Sequence, residues 1–367
     1  MNEKHTVPFK SLPKETQDLL RRTQQKHRIS EQYHHTHFGN TMPISSCEFN
    51  GRRMVAVRAS LFTSDDPKYD WENPSDFLAS YLKSKLGLQW FSDQLYKDYK
   101  NQHEIVKWYT KGISNIEERN SNAWAKPNGK ALALLHLAYD LFILEHEGNL
   151  PEFIINRLRN GSNFNGARYE LFVFATLIRA GFDIEYSDEK SGTNGRVPEC
   201  EITHHKTKQK LYVEAKTRNV KNVLGSTQGR SNKIRLYGKL KDALSKDVHG
   251  PYLIFIDVNH PNIQAKAGND NLEKIRSKYK KLEKSYKNSL PNIVCFTNIP
   301  FHYGADDSSP EQNLFGFMLP RYPKYKLDDI DSVFEAINSS IKKYNFLPKE
   351  FNEADIHADN MLDNTNI

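Results

Sequence analysis

The pattern of apolar and polar positions predicts helices and strands in turn along the second half of the chain. Between residues 166 and 180, Leu171, Phe174 and Ile178 recur at intervals of three and four, the spacing of a helix with one buried face. Nearly continuous apolar runs at 251–258 and 292–297 predict strands buried on both faces. Further predicted elements are helices at 232–246, 271–289 and 327–344 and an edge strand at 314–319. Helices that alternate with buried strands are typical of a layered α/β core.

Polar residues follow the two buried strands. Asp257 and Asn259 lie at the end of the first strand. The residues after the second strand are Thr297, Asn298, His302 and Tyr303. Polar groups just beyond the carboxyl ends of buried strands often line a binding crevice, so these side chains are candidates for one. His302 is expected to be a hydrogen-bonded structural histidine and not a catalytic group.

The segment from 199 to 216 predicts a β-hairpin with charged residues on one face. Because strand side chains alternate, Glu214 and Lys216 point the same way while Val213 and Ala215 face a core. A turn centred on Thr207-Lys208 would place Glu201 opposite Glu214 and Glu199 opposite Lys216. Opposed carboxylates repel each other unless a cation lies between them, and Mg²⁺ is commonly held by one or two carboxylates. The hairpin therefore predicts a metal site.

A third acid precedes the hairpin. Glu170 lies near the start of the 166–180 helix, four residues before Phe174, and therefore on or beside its buried face. Gly181 is a natural end for that helix, and residues 182–186 read as a short strand. An ionised glutamate in that position needs a partner, and the metal site is a candidate.

This order of features resembles the PD-(D/E)xK superfamily of restriction-endonuclease-like nucleases. The resemblance covers about residues 160–260 and rests on the helix with Glu170, a strand, Pro198 followed by an acid, Glu214-Ala215-Lys216 and a basic helix. It implies a mixed sheet flanked by helices and a hydrolase, a Mg²⁺-dependent (or Mn²⁺-dependent) endonuclease. The implied catalytic residues are Glu170, Glu201, Glu214 and Lys216, and the implied metal ligands are Glu199, Glu201 and Glu214. Pro198-Glu199 matches the Pro-acid signature literally, whereas Glu201 is better placed in the expected hairpin, so the first strand acid stays open.

The charge distribution favours a polyanionic partner. Between Thr203 and Lys246 there are twelve lysines and arginines but only two acids. A local excess of this kind beside a carboxylate site is typical of nucleic-acid binding. We expect the nucleic acid to be DNA, although the charge pattern itself does not distinguish DNA from RNA. The residues expected to contact nucleic acid are Arg218, Arg230, Lys233, Arg235 and Lys239.

Composition sets the outer limits of this interpretation. The 367 residues carry a net charge of +7 and suffice for more than one domain. We expect a mainly helical N-terminal domain with a small hairpin over 1–150, the nuclease-like domain over 151–346, and an acidic, disordered tail over 347–367. No segment is apolar enough to span a membrane, and the three cysteines lack metal-binding spacing, which predicts a reduced, cytoplasmic protein.

Two functions from different classes remain. The first is an active nuclease, and the second is a catalytically inactive nuclease-like scaffold that binds nucleic acid or a protein partner. Joint retention of Glu170, Glu214 and Lys216 favours the first, because a binding module does not need them. A nucleotide-binding doubly wound fold is disfavoured, since no glycine-rich phosphate loop follows any predicted strand. Whether the chain forms a homodimer is left open.

Overall fold

The computed structural model describes residues 9–38, 42–58, 60–64, 70–113, 127–187, 197–220, 223–224, 237–259, 268–286, 289–304 and 313–364. The chain divides into two compact units. The first comprises Met1–Phe77 with Pro348–Ile367, and the second comprises Leu78–Leu347. The boundaries between the two units follow residues 77 and 347. The sequence predicted domain boundaries that follow residues 150 and 346.

The first unit contains a small antiparallel sheet in the order β1-β2-β3. Its elements are α1 (Lys14–Phe38), β1 (Ser46–Phe49), β2 (Arg52–Val57), β3 (Ser60–Thr63) and α11 (Ala354–Asn364), and α2 (Pro74–Leu86) begins in it. The predicted hairpin is present: Asn50 and Gly51 both have positive φ, 52° and 71°, as a two-residue turn between twisted strands requires.

The tail at 347–367 is more ordered than its polar composition suggests. Residues Ala354–Asn364 form helix α11, which packs against α1. Lys26 Nζ lies 2.9 Å from an oxygen of Asp359, and the rings of Tyr33 and His357 are 4.7 Å apart. The structure therefore has a helix where the sequence predicted disorder. Helix α1 supplies charge and ring contacts to it that the tail sequence does not reveal.

The second unit is built on a six-stranded mixed sheet in the order β4-β5-β6-β7-β8-β9. The strands are β4 (Phe182–Tyr186), β5 (Cys200–His204), β6 (Lys210–Lys216), β7 (Tyr252–Asp257), β8 (Ile293–Asn298) and β9 (Leu314–Met318). The β4–β5 and β5–β6 pairs are antiparallel, and the β6–β7 and β7–β8 pairs are parallel. The last pair, β8–β9, is antiparallel. Both predicted apolar runs are strands in which every residue is buried. The α/β architecture expected from the sequence is confirmed.

Helices cover the sheet on both faces. The helices of this unit after α2 are α3 (Leu88–Leu95), α4 (Glu104–Trp108), α5 (Gly129–His146), α6 (Glu152–Arg159), α7 (Phe164–Arg179), α8 (Tyr237–Leu244), α9 (Gly268–Ser285) and α10 (Ile330–Lys343). Leu240 of α8 and Ile275 of α9 pack into one core with Ile254 and Ile256 of β7. Tyr169 of α7 reaches the opposite face of the sheet, where its hydroxyl lies 2.9 Å from Thr297 Oγ1 of β8.

Helix α5 is the most buried helix of the unit, with every residue from Ala131 to Leu144 inaccessible or nearly so. Asp140, within this stretch, is fully buried and contacts two arginines, Arg168 at 2.9 Å and Arg179 at 3.4 Å. Tyr344 donates a hydrogen bond to the same carboxylate (3.1 Å) and contacts His302 Nε2 at 2.6 Å. His302 is thus a hydrogen-bonded core residue, as expected.

Among the described residues, no helix has the length and apolar character needed to cross a membrane.

Candidate active site

The β5–β6 hairpin has a different register from the predicted one. Cys200 pairs with Val213, and Glu201 pairs with Tyr212. The turn is centred one residue earlier than expected, because Lys208 adopts a left-handed conformation (φ 56°) and its amide donates to the His204 carbonyl at 2.9 Å. A turn shifted by one residue shifts the strand pairing by two. The expected pairing of Glu201 with Glu214 is therefore wrong.

The corrected register distinguishes the two candidate strand acids. The Glu201 carboxylate accepts a hydrogen bond from Lys210 Nζ at 2.6 Å, near the solvent-exposed side of the hairpin. Glu199 instead directly precedes β5, and its Oε1 lies 3.8 Å from Lys216 Nζ. Its amide donates to the Val213 carbonyl at 3.0 Å, which fixes it next to the end of β6. The structure thus brings Glu199, and not Glu201, beside Glu214 and Lys216.

Glu214 is the central residue of the site. Its side chain is fully buried, and its Oε1 contacts the ammonium groups of Lys216 and Lys246, the latter at 3.4 Å. Lys246 follows helix α8 and also donates to the Val197 carbonyl at 2.8 Å. The second oxygen, Oε2, accepts no hydrogen bond from the part of the chain that the structure describes. A buried carboxylate is therefore held at the end of β6 with one oxygen still able to take a ligand.

Burial and neighbouring charges shift the ionisation of this pair. The pKa of Glu214 is raised from 4.5 to about 7, chiefly by burial and then by the charge of Glu199, while the two lysines hold back part of the rise. Burial lowers the pKa of Lys216, but Glu214, Glu199 and Glu170 together more than reverse this, so its pKa is raised overall. Lys216 consequently stays an ammonium ion at neutral pH and is unsuited to act as a base.

Glu170 lies in the second turn of α7 and is buried, as predicted. Its carboxylate pairs with both terminal nitrogens of Arg157, from α6, at 2.5 and 2.7 Å. Its negative charge nevertheless reaches the site, because it raises the pKa of Lys216. The partner that the sequence left unidentified is thus an arginine, and no sequence pattern singled it out.

The donor set fits a Mg²⁺ ion bound by two carboxylates better than one bound by three. Glu170 is paired with Arg157 and Glu201 with Lys210, whereas Glu199 and Glu214 lie together beside Lys216. In the described residues, no group of three or more His, Cys, Asp or Glu side chains is arranged to hold a metal. Mg²⁺ commonly uses one or two carboxylates and completes its coordination with water and substrate phosphate. The carboxylates of Glu199 and Glu214 are therefore ligands of the right kind and number for Mg²⁺.

Of the five residues predicted to contact nucleic acid, the structure describes Arg218 and Lys239. Arg218 is only 7% exposed, and its carbonyl accepts hydrogen bonds from Asn165 and Asn259 at 3.0 and 2.5 Å. Lys239 is half-buried, and its pKa is lowered chiefly by that burial. Arg230, Lys233 and Arg235 lie outside the described residues.

The lysines of the hairpin turn also lie away from the acids. Lys206 and Lys208 are at the turn, whereas Glu199 and Lys216 are at the opposite end of the hairpin. Six residues of extended strand separate these ends, which is about 20 Å. The turn lysines therefore do not flank the acids.

Several of the polar residues at the ends of β7 and β8 belong to one buried hydrogen-bonded network. Asp257 is buried and accepts hydrogen bonds from Thr217 (2.9 Å), Tyr303 (2.5 Å) and the amide of Asn259 (3.0 Å). The pKa of Asp257 is raised to about 6, chiefly by burial, and these donors hold back part of the rise. The network fixes the backbone just after Lys216, since Thr217 belongs to it.

Comparison of the chain with protein-family models, with curated proteins and with solved structures finds no match.

Proposed function

We propose that the protein is a metal-dependent nuclease that hydrolyses phosphodiester bonds of nucleic acid, with DNA the favoured substrate. The observation that carries the proposal is the convergence of Glu199, Glu214 and Lys216 at the end of the β5–β6 hairpin. Acids and a lysine of this type at one strand end are what metal-assisted phosphodiester hydrolysis requires.

The order of elements around the site supports the same proposal. Helix α7 carries Glu170, strands β4, β5 and β6 follow, Glu199 directly precedes β5, and β6 ends in Glu214-Ala215-Lys216 before α8. This is the succession on which the resemblance to the PD-(D/E)xK nucleases rests. The register now favours the literal Pro198-Glu199 match for the first strand acid.

Each residue has a chemical role that its surroundings permit. Glu199 and Glu214 would hold the metal ion, which polarises a phosphate oxygen and activates a water when bound. Lys216 keeps its positive charge and can stabilise the negative charge that develops on the phosphate in the transition state. Glu170, fixed by Arg157, adds negative charge that keeps Lys216 protonated. The Asp257 network holds the chain immediately after Lys216.

The cost of burying Glu214 also favours a functional role. A fully buried glutamate with a pKa near 7 is unfavourable to the folded state at neutral pH, in spite of two lysine neighbours. Such perturbed carboxyl groups concentrate at functional sites, where the chemistry makes use of them. A purely structural core position is occupied at less cost by an apolar residue.

A second candidate is the catalytically inactive scaffold. It is favoured by two contacts: Arg157 occupies both oxygens of Glu170, and Lys246 stands beside Glu214. Ammonium and guanidinium groups can replace a metal ion electrostatically. The two candidates differ in one measurable respect, because only the nuclease loses a metal-dependent activity when Lys216 is changed.

The test is a cleavage assay on single- and double-stranded DNA and RNA, with Mg²⁺, with Mn²⁺ and with excess chelator. We expect cleavage of at least one substrate that requires the metal and is abolished in Lys216→Ala. Glu201→Gln is the matched control, because it alters a carboxylate of the same hairpin that pairs with Lys210 away from the site. Absence of cleavage from every substrate with either metal would favour the scaffold, and cleavage that persists in Lys216→Ala would refute the proposed site.

A further inference from the structure

Helix α9 carries a cationic surface that the candidate site does not use. Its apolar residues Ile275, Tyr279 and Leu282 are 0–4% exposed and face the sheet. The opposite side has a groove of about 340 Å³. The side chains that line it are Glu273, Arg276, Ser277, Lys280, Lys281 and Lys284. These positions recur at intervals of three, four, seven, eight and eleven from the first, so they form one face of the helix.

The positive charge of this groove is largely uncompensated. Its one acid, Glu273, pairs with Arg276 at 3.2 Å. No acidic side chain in the described ranges lies within ion-pairing distance of Lys280, Lys281 or Lys284. Holding three lysines on one face without partners costs the fold little in water, but it provides a site for a polyanion.

We propose that this face of α9 binds the phosphate backbone of double-stranded DNA, and the proposal rests on the nuclease function above, whose substrate class it specifies. Arg276 and Lys284 are eight residues apart, which is about 12 Å along the helix. A duplex carries one negative charge for each ~1.7 Å of its axis, so about seven phosphate charges lie within that length.

The composition of the surface favours a duplex over a membrane, a protein interface or a single strand. No apolar side chain of α9 whose burial the structure describes is exposed, so the face lacks the anchors by which helices enter membrane surfaces or protein interfaces. It also lacks an exposed aromatic ring among those residues, so unpaired bases have nothing to stack on. Lysines and a hydroxyl group suit phosphate oxygens, which a duplex presents along its whole outer surface.

The location of α9 is compatible with a role beside the candidate site. Glu214 and Lys216 pair in register with Ile254 and Ile256 of β7, and paired residues on neighbouring strands point to the same face. Ile254 and Ile256 pack against Ile275 of α9. The α9 surface therefore lies on the side of the sheet towards which the Glu214 and Lys216 side chains project.

The experiment measures binding separately from cleavage. A fluorescein-labelled DNA duplex is titrated with the full chain in excess chelator over a series of salt concentrations, using fluorescence anisotropy. The test variant is Lys280→Gln/Lys281→Gln/Lys284→Gln. The matched control is Lys97→Gln/Lys100→Gln/Lys342→Gln, which removes the same net charge from other exposed positions.

We expect the test variant to bind the duplex on the order of tenfold more weakly, and the slope of log K against log salt to fall by about 3 in magnitude, since each phosphate contact contributes about 0.9. The control should retain the wild-type slope. Equal losses in both variants, an unchanged slope in the test variant, or a single strand that displaces the duplex at equal concentration would overturn the proposal. Because binding is measured without metal, a protein that binds in this way but never cleaves contradicts only the nuclease function.

Discussion

The pKa of Glu214 leads to a quantitative prediction about stability. The carboxyl group titrates at about 7 in the folded protein, compared with 4.5 when it is unperturbed, chiefly because it is buried. The folded state therefore binds a proton more tightly than the unfolded state does. Between pH 4.5 and 7 the folded state holds more protons, so the free energy of unfolding decreases as the pH rises through that range.

The size of the effect follows from the two pKa values. Their difference, at about 1.4 kcal/mol for each pH unit, amounts to about 3 kcal/mol, most of which is lost between pH 5 and pH 7. Glu214→Gln keeps the shape of the neutral carboxyl group but cannot ionise. We expect the variant to match the wild type in stability at pH 5 and to exceed it by about 3 kcal/mol at pH 8.

Equilibrium urea unfolding of both proteins, followed by circular dichroism at a series of pH values, measures this difference. The comparison with wild type is essential, because Asp257 also has a raised pKa, near 6, and it titrates in the same direction in both proteins. The reasoning is refuted if the two stability profiles run parallel from pH 5 to pH 8. A variant less stable than wild type at pH 8 would show that the ammonium contacts outweigh burial.

Three other outcomes test the remaining contacts. Lys216→Ala should lower metal-dependent cleavage on the order of a hundredfold or more while DNA binding persists, and a rate near wild type would exclude its role in the chemical step. Glu199→Gln should reduce kcat/KM for cleavage and weaken Mg²⁺ binding measured by calorimetry, whereas Glu201→Gln should change neither. The reverse result would show that Glu201, and not Glu199, is the first strand acid. Asp140→Asn should destabilise the fold by about 3–5 kcal/mol in urea unfolding, because it leaves Arg168 buried without its counter-charge, and a loss below about 1 kcal/mol would contradict this.

The fold of the second unit could largely be predicted because its signals are local. The apolar runs at 251–258 and 292–297 are buried strands, and the three- and four-residue spacing at 166–180 is helix α7. Gly181, with φ 82°, ends that helix as its sequence position indicates. Each of these signals depends on residues within a few positions of one another, since the period of the pattern reflects the geometry of the element itself.

The candidate site was only partly accessible from the sequence. Glu214 and Lys216 were identified because strand alternation places them on one face. The choice between Glu199 and Glu201 depended on the turn, where a left-handed residue shifted the pairing by two. A turn can be centred at neighbouring positions with little difference in its local sequence, so the register is decided by which side chains the core accepts.

The partners of the acids were decided by the tertiary structure alone. Arg157 reaches Glu170 from a different helix, and Lys246 reaches Glu214 from the end of α8. The sequence determined that these residues are charged. Which opposite charges meet depends on how helices pack on the sheet, because an ion pair forms wherever packing brings two groups within about 4 Å, whatever their separation along the chain.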